Sequence, residues 1–182
     1  MEIRSLIMIS VALALDAFGV ALSIGLNCEV KTKHKGYFVL SFGFFQFLFS
    51  FLGAYIGYIF NSFASVPNTI GGLVIILVGI MMIKEGFEEK EECILIKPRM
   101  YLILGISVSI DALVVGFITL NSIIEPMALF VDTMFIGLVT VFLSSLGFIL
   151  SKSLNKIKFI AKYADFIGGI ILIGFGIKMI FF

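Results

Sequence analysis

The most constraining feature of this sequence is a stretch of 48 residues, Gly36–Ile83, that contains no charged side chain. It is too long for one membrane-spanning helix, which needs about 20 apolar residues. The polar segment Asn61–Asn68 divides it into apolar runs at about 37–60 and 69–83. Over the whole chain, 60% of the residues are hydrophobic and 14% are charged, whereas soluble domains have about 45–50% and about 25%. The composition therefore indicates a membrane protein and excludes a soluble enzyme, a separate nucleotide-binding domain and a nucleic-acid-binding protein.

Four further apolar runs raise the number of predicted membrane spans to six. They cover about 6–26, 100–120, 127–150 and 164–182. Six spans use about 120 residues and leave about 60 for the connections. We therefore predict an all-α membrane protein with six transmembrane helices in a single domain, residues 1–182.

The positions of lysine and arginine predict how these spans are oriented. One face of the membrane carries only Arg4 and Lys178, which leaves 11 of the 13 basic residues in the first, third and fifth loops. Basic residues concentrate in cytoplasmic loops. These three loops are therefore predicted to be cytoplasmic, with both termini outside the cell.

Three blocks of sequence recur in the same order in two halves of the chain, about 1–90 and 97–182. Leu15–Phe18 recurs as Ile110–Leu113, at an offset of 95 residues. The other matches, at offsets of 94 and 97, pair Gly43, Gln46, Ser50 and Gly53 with Gly137, Thr140, Ser144 and Gly147, and Ile70–Gly72 and Gly79 with Ile167–Gly169 and Gly176. Each half has three spans, so the second half enters the membrane in the opposite direction. Two inverted three-helix repeats are common in secondary transporters; a duplicated structural bundle is the alternative.

Two acidic residues lie at equivalent repeat positions near the centres of the first and fourth spans, Asp16 and Asp111. A carboxylate at the bilayer centre costs about 2.5–3.5 kcal/mol on insertion scales and commonly marks an ion or substrate pathway. We interpret the pair as the two acids of one ion site. The alternative is a neutral, hydrogen-bonded pair that only holds helices together.

Other polar side chains in or near the spans are candidate ligands or gates. Gln46 offers an amide oxygen, although such groups also make helix–helix hydrogen bonds. Glu85 closes the third span and Asp165 opens the sixth, so each is either a gate carboxylate or an interfacial charge, and Asp165 also suits a helix N-terminus. Asp132 is interpreted as interfacial, with an exit path as the alternative. No span contains histidine, since His34 falls in the first loop, and oxygen ligands alone favour Mg²⁺, Ca²⁺ or Mn²⁺.

Taken together, these motifs resemble the MntP family of bacterial manganese efflux pumps. The resemblance covers essentially the whole chain and rests on Leu15–Phe18, Gly43–Gly53, Met82–Gly86, Ser109–Gly116 and Asp165–Gly169. It implies export of Mn²⁺ across the plasma membrane, with Mn²⁺ as the transported cargo and no resident cofactor. Membrane lipid and manganese are the expected partners.

The resemblance also assigns residues. Asp16 and Asp111 match the family's two intramembrane aspartates, Gln46 its polar second-span position and Glu85 its third-span carboxylate. The chain departs from the family pattern at two places. Phe49–Ser50 stands where Met-Pro is frequent, and Asp165 stands where glutamate is more frequent.

Export of a divalent cation from a negative-inside cell requires a source of energy, about 4.6 kcal/mol per 100 mV for two charges. The chain contains no GxxxxGK[ST] phosphate-binding motif. We therefore predict a secondary transporter and not an enzyme, in which Mn²⁺ exchanges for protons at Asp16 and Asp111.

Three alternatives remain at this point. The first is an exporter of another divalent cation, and the second a sporulation or assembly membrane protein of the same superfamily, in which both aspartates would be replaceable. The third is an intramembrane aspartyl protease, which is expected to carry Gly-x-Gly-Asp where this chain has Ser109-Ile110-Asp111.

Overall fold

The computed structural model describes residues 3–27, 30–63, 68–85, 98–120, 125–153 and 159–181. Within these ranges the regular structure is entirely helical. The helices are α1 (Ile3–Asn27), α2 (Thr32–Phe63), α3 (Asn68–Glu85), α4 (Pro98–Val108), α5 (Ile110–Thr119), α6 (Pro126–Ser153) and α7 (Phe159–Phe181). Helices are the natural choice for apolar runs in lipid, because a helix satisfies its backbone groups internally. The all-α prediction is confirmed for the described residues.

Four apolar stretches are long enough to cross a membrane, and two are shorter. The long stretches are Ile3–Leu26, Thr32–Phe60, Arg99–Thr119 and Pro126–Ser151. The shorter ones are Thr69–Lys84 and Phe166–Phe181. At 1.5 Å per residue each shorter one reaches about 24 Å, against about 30 Å for the hydrocarbon core. This set of helices agrees with a multi-pass membrane protein.

Two predicted boundaries were wrong. Helix α2 begins at Thr32, so His34 lies in its first turn and not in a loop. Helix α7 begins at Phe159, so Asp165 is the seventh residue of the helix rather than a residue at its N-terminus. In both cases the residues that precede the apolar run, 32–36 in α2 and 159–163 in α7, are already part of the helix. The end of hydrophobicity therefore did not mark the end of the helix.

Helices α3 and α7 pack along each other through glycines that allow their backbones to approach closely. A Cβ atom added at Gly79 would lie 2.7 Å from the Gly169 carbonyl oxygen, and one at Gly176 would lie 2.7 Å from the oxygen of Gly72. Small residues at helix interfaces drive association in membranes in this way. The offset of 97 residues found in the sequence relates Gly79 to Gly176 and Gly72 to Gly169, so the two contacts are made by equivalent residues.

The same reciprocity relates two further interfaces. A Cβ atom added at Gly53 of α2 would lie 2.1 Å from the Leu113 carbonyl oxygen of α5. One added at Gly147 of α6 would lie 2.8 Å from the Phe18 carbonyl oxygen of α1. Gly147 and Leu113 are the repeat counterparts of Gly53 and Phe18. The α2–α5 interface and the α1–α6 interface are therefore built from equivalent residues.

Candidate ion site

Two clusters of buried apolar side chains fill the interior of the bundle. The first cluster includes Ile9, Ala12, Leu13, Ala54, Ala112, Val115 and Ile136. The second cluster includes Ala17, Ala21, Phe42, Val108 and Phe148. Helices α1, α2 and α6 contribute to both clusters, and so does the pair formed by α4 and α5. Each of these four therefore passes from one cluster to the other near the middle of its length.

A polar residue lies in each helix between its contributions to the two clusters. It is Asp16 in α1, Gln46 in α2 and Thr140 in α6, and at the junction of α4 and α5 it is the pair Ser109 and Asp111. We call these five residues the polar layer. Gln46, Ser109 and Thr140 are fully buried, whereas the two aspartates are half-buried. Both aspartates singled out in the sequence thus lie, along their own helices, between residues of the two apolar clusters.

The junction of α4 and α5 interrupts the fourth span inside this layer. Ser109 has φ −105° and ψ 5°, and its N–H donates to the Ile106 carbonyl oxygen at 3.1 Å, a bond to the residue three positions earlier. In the first turn of α5, the Ala112 N–H donates to Asp111 Oδ1 at 2.8 Å. The helix dipole favours a negative charge at this end, so the start of α5 suits an ionised Asp111.

Sequence reasoning missed both the interruption and the burial of Ser109. The junction contains neither glycine nor proline, which are the usual indications of a broken helix. The one available signal was the residue type, because serine is favoured at the N-cap that precedes a helix. Serine is also common within membrane helices, and this signal alone does not separate the two possibilities.

Gln46 is held by a hydrogen bond across the α2–α4/α5 interface. The Ser109 hydroxyl donates to Gln46 Oε1 at 3.0 Å. Among the described residues, Gln46 Nε2 and the Ser50 hydroxyl are buried without a hydrogen-bond partner. Unpartnered buried polar groups are uncommon. The interior face of α2 at this depth therefore carries an amide donor and a hydroxyl whose hydrogen-bonding capacity is unused among the described residues.

The repeat counterparts of these two residues are satisfied within their own helix. Thr140 Oγ1 donates to the Ile136 carbonyl oxygen at 3.0 Å, and Ser144 Oγ donates to that of Thr140 at 2.6 Å. Among the described residues, the buried polar groups without a hydrogen-bond partner therefore lie on α2 and not at the matching positions of α6.

The remaining candidates lie away from the polar layer or outside the described residues. Glu85 is the last residue of α3 and Asp165 lies within α7, but their side chains are outside the described part. Asp132 is half-buried near the start of α6. Over the described residues there is no group of three or more His, Cys, Asp or Glu side chains placed to hold a metal ion. A cation in the polar layer would thus bind the two carboxylates together with amide, hydroxyl, backbone or water oxygens, a set that suits hard divalent ions.

Comparison with known proteins gives a consistent family. A family model described as "Putative manganese efflux pump" matches residues 29–180. A protein of Clostridium tetani named "Putative manganese efflux pump MntP" is 58% identical, with 100% of both chains covered. A Clostridium botulinum protein named "Putative manganese efflux pump MntP 1" is 56% identical over the same coverage, and one from Methanobrevibacter smithii is 34% identical over 97% of this chain and 95% of its own. No solved structure matches the chain.

Proposed function

Because this chain belongs to the MntP family of manganese efflux pumps, we propose that it exports Mn²⁺ across the plasma membrane through an ion site built on Asp16 and Asp111. The names of full-length relatives support the choice of ion. The observation that carries the site is the polar layer, in which both aspartates occur between two apolar clusters. The chain is a transporter of this family rather than an enzyme.

In the proposed site Mn²⁺ binds carboxylate oxygens of Asp16 and Asp111 and the amide oxygen of Gln46. All three are hard oxygen donors of the kind that Mn²⁺ accepts. Glu85, at the end of α3, and Asp165, in the second turn of α7, are proposed as carboxylates on the cytoplasmic side that attract the cation before it enters. In this scheme the first three residues bind the ion at mid-depth and the last two act at the entrance.

The proposal includes two inverted three-helix repeats, with residues 1–90 and 97–182 as the halves. Support comes from the reciprocal glycine contacts, in which Gly53 with Leu113 corresponds to Gly147 with Phe18. Membrane transporters with inverted repeats bind their ion at the repeat interface near the midplane. The polar layer draws its acids from α1 of one half and α5 of the other, as this arrangement requires.

The proposal also includes alternating access. It is supported by one pair of glycine contacts that does not follow the reciprocity of the two halves. A Cβ atom added at Gly168 of α7 would lie 3.1 Å from the Ala12 carbonyl oxygen and 3.5 Å from Leu15 Cβ, both in α1. The counterpart of Gly168 is Gly71 of α3, whose added Cβ would instead lie 2.7 Å from Ile118 Cγ2, near the end of α5. Helix α7 therefore covers the first half of α1, whereas α3 does not cover the equivalent part of α4.

The uncovered surface at the end of α4 and the start of α5 is exposed. Ser107 and Ile110 are the counterparts of Ala12 and Leu15, and both are exposed, with Ile110 58% accessible. Ala12, by contrast, is fully buried. With the predicted orientation, α4 lies in the cytoplasmic half of the membrane. We assign this arrangement to the inward-facing state, in which a cation from the cytoplasm reaches Asp111 along α4.

Proton exchange is the proposed source of energy. Transport of two positive charges outward against 100 mV costs about 4.6 kcal/mol, so uncoupled export would be unfavourable. Asp16 and Asp111 would bind Mn²⁺ when ionised and take up protons from outside when the site opens there. The protons then move inward as the site returns.

Metal accumulation in cells tests the transported ion. Cells that lack manganese export are compared with and without this protein while challenged in turn with Mn²⁺, Mg²⁺, Ca²⁺, Zn²⁺ and Fe²⁺. We expect lower cellular manganese and protection from Mn²⁺ alone, and loss of both in Asp111→Asn. Asp132→Asn is the matched control, since it makes the same change outside the polar layer. Protection from a different ion would contradict Mn²⁺ export and favour the alternative exporter.

Purified protein in sealed vesicles tests the coupling. A Mn²⁺ gradient should drive proton movement in the opposite direction, and Asp111→Asn should abolish it. Manganese transport without proton movement would contradict proton exchange while leaving manganese export intact.

A further inference from the structure

The Ser109 side chain, at the junction of α4 and α5, makes a hydrogen bond that the break in the helix does not require. A serine at the N-cap position normally accepts a hydrogen bond from an N–H in the first turn of its own helix. The Ser109 side chain makes no such capping bond. Its hydroxyl instead donates to Gln46 Oε1 on a different helix, at 3.0 Å. The hydroxyl is thus committed to a tertiary contact and not to local capping.

The atom that Ser109 holds is the one that a cation would need. Only the amide oxygen of Gln46 can bind a cation, because its Nε2 group is a hydrogen-bond donor. Gln46 and Ser109 are both fully buried, so water does not readily replace either partner. Gln46 Nε2 and the Ser50 hydroxyl are buried without partners among the described residues. The amide is therefore oriented by Ser109 alone among the described contacts of its side chain.

We propose that Ser109 is a positioning residue of the ion site, whose hydroxyl competes with the transported cation for the Gln46 amide oxygen. The inference rests on the proposed function, since it concerns the same site. The amide oxygen has two lone pairs, and we place the cation at the one that the Ser109 hydroxyl occupies, so that the hydroxyl releases Oε1 when the cation binds. The bond therefore lowers cation affinity and eases release of the cation from the site.

The competition also connects ion binding to the junction of α4 and α5. Ser109 is the residue between the two helices, and Asp111 lies in the first turn of α5. Release of the Ser109 hydroxyl removes the hydrogen bond between the junction and α2, while the close backbone contact of Gly53 with Leu113 remains. A cation that binds Asp111 and Gln46 thus replaces a direct hydrogen bond between the two helices by a bridge through the ion.

The test is Mn²⁺ binding by purified protein in detergent, measured by calorimetry for wild type and Ser109→Ala. A net hydrogen bond of ordinary strength corresponds to roughly three- to tenfold in an equilibrium constant. We therefore expect Ser109→Ala to bind Mn²⁺ about three- to tenfold more tightly. Transport by the same variant should show both a lower KM and a lower kcat, because release becomes slower. A merely structural role would weaken binding or leave it unchanged.

Several variants identify the bond as the cause. Ser145→Ala is the matched control, because the Ser145 hydroxyl donates to the Val141 carbonyl oxygen within its own helix, α6, and it should bind as wild type does. Ser109→Thr retains the hydroxyl and should restore wild-type values. In a Gln46→Ala background, Ser109→Ala should have no further effect on affinity. Ser109→Cys replaces the hydroxyl by a weak donor of similar size and should tighten binding even if the alanine variant fails to fold.

The outcomes separate this inference from the proposed function. Unchanged or weaker Mn²⁺ binding by folded Ser109→Ala and Ser109→Cys would overturn the inference alone, and so would an equal effect in the Gln46→Ala background. Absence of Mn²⁺ binding by the wild type would overturn the proposed function first and this inference with it.

Discussion

Helix α1 and the α4–α5 pair carry the two equivalent aspartates in different local structures. Helix α1 is continuous over Ile3–Asn27, and Asp16 lies in its interior. The equivalent span is interrupted at Ser109, so Asp111 lies in the first turn of a new helix. The same Asp-Ala motif therefore has a helix N-terminus beside it in one half and an unbroken helix in the other. Matching sequence positions therefore differ in local backbone structure.

The difference follows from the neighbours of the two motifs. At the offset of 95 residues the counterpart of Ser109 is Ala14, which has no hydroxyl to bond another helix. Helix α1 is also covered by α7 through Gly168, whereas the corresponding face of α4 is uncovered. In the proposed transport cycle the covered and uncovered roles exchange.

The largest expected effects are those of the two aspartates. Asp16→Asn and Asp111→Asn should each reduce Mn²⁺ export by more than the 10–100-fold typical of groups that only support metal ligands. Uptake of Mn²⁺ into inside-out vesicles measures the loss. Transport at the wild-type rate by Asp16→Asn would show that export depends on Asp111 of α5 and not on both aspartates.

Cross-linking tests whether the two halves exchange their roles. Lys178 Nζ lies 3.5 Å from Ser5 Oγ where α7 covers α1, and the repeat counterparts of these residues are Met81 and Met100. In a background without Cys28 and Cys93, the variant Ser5→Cys/Lys178→Cys should react readily with a short bis-methanethiosulfonate cross-linker, which forms a disulfide with each cysteine and is cleaved by a reducing agent. Transport should fall in proportion to the cross-linked fraction and return after cleavage.

The counterpart pair gives the matched control for that experiment. Met81 is exposed on α3, so Met81→Cys/Met100→Cys should cross-link more slowly in metal-free protein. Conditions that favour the outward-facing state should raise the cross-linking rate of Met81→Cys/Met100→Cys and lower that of Ser5→Cys/Lys178→Cys. Equal rates for both pairs under all conditions would contradict the proposed exchange.

Glycine contacts predict a smaller, graded effect on stability. Gly53→Ala places a Cβ atom 2.1 Å from the Leu113 carbonyl oxygen, and Gly147→Ala one 2.8 Å from that of Phe18. Overpacking of this kind typically costs about 1–3 kcal/mol, so both variants should lower the thermal unfolding midpoint, Gly53→Ala more than Gly147→Ala. Gly174→Ala is the control, because a Cβ there would meet nothing within 4 Å. A midpoint lowered equally by all three variants would show that close approach is not the cause.

The smallest effect concerns the attachment of α4 at its start. His34 Nδ1 and the Tyr101 hydroxyl share a hydrogen bond between α2 and α4, and the two rings are stacked. His34→Ala should lower the free energy of unfolding by about 0.5–1.5 kcal/mol, the usual net value of one hydrogen bond. Denaturant titration in detergent measures this change. Tyr101→Phe should have a similar effect, and no further loss is expected in the double variant.

Much of the architecture was predictable because the lipid restricts it. An apolar run in a membrane must be helical, so residues such as Asn61–Asn68 and Pro126 correctly marked the breaks between helices. The aspartates were detectable because a charge in such a run is costly. Helix ends were less predictable. Helices α2 and α7 each begin several residues before their apolar run, because the residues there are also helical.

The sequence by itself determined that the chain is a helical membrane protein, that it belongs to a known family and that Asp16 and Asp111 lie at matching positions of a recurring motif. These properties follow from hydrophobicity, charge and recurrence along the chain. Only the tertiary structure decided that Ser109 is buried, that its hydroxyl bonds Gln46 and that α4 is uncovered while α1 is covered. Those features depend on which helix faces lie against each other. Two halves of similar sequence can therefore pack differently where they contact each other.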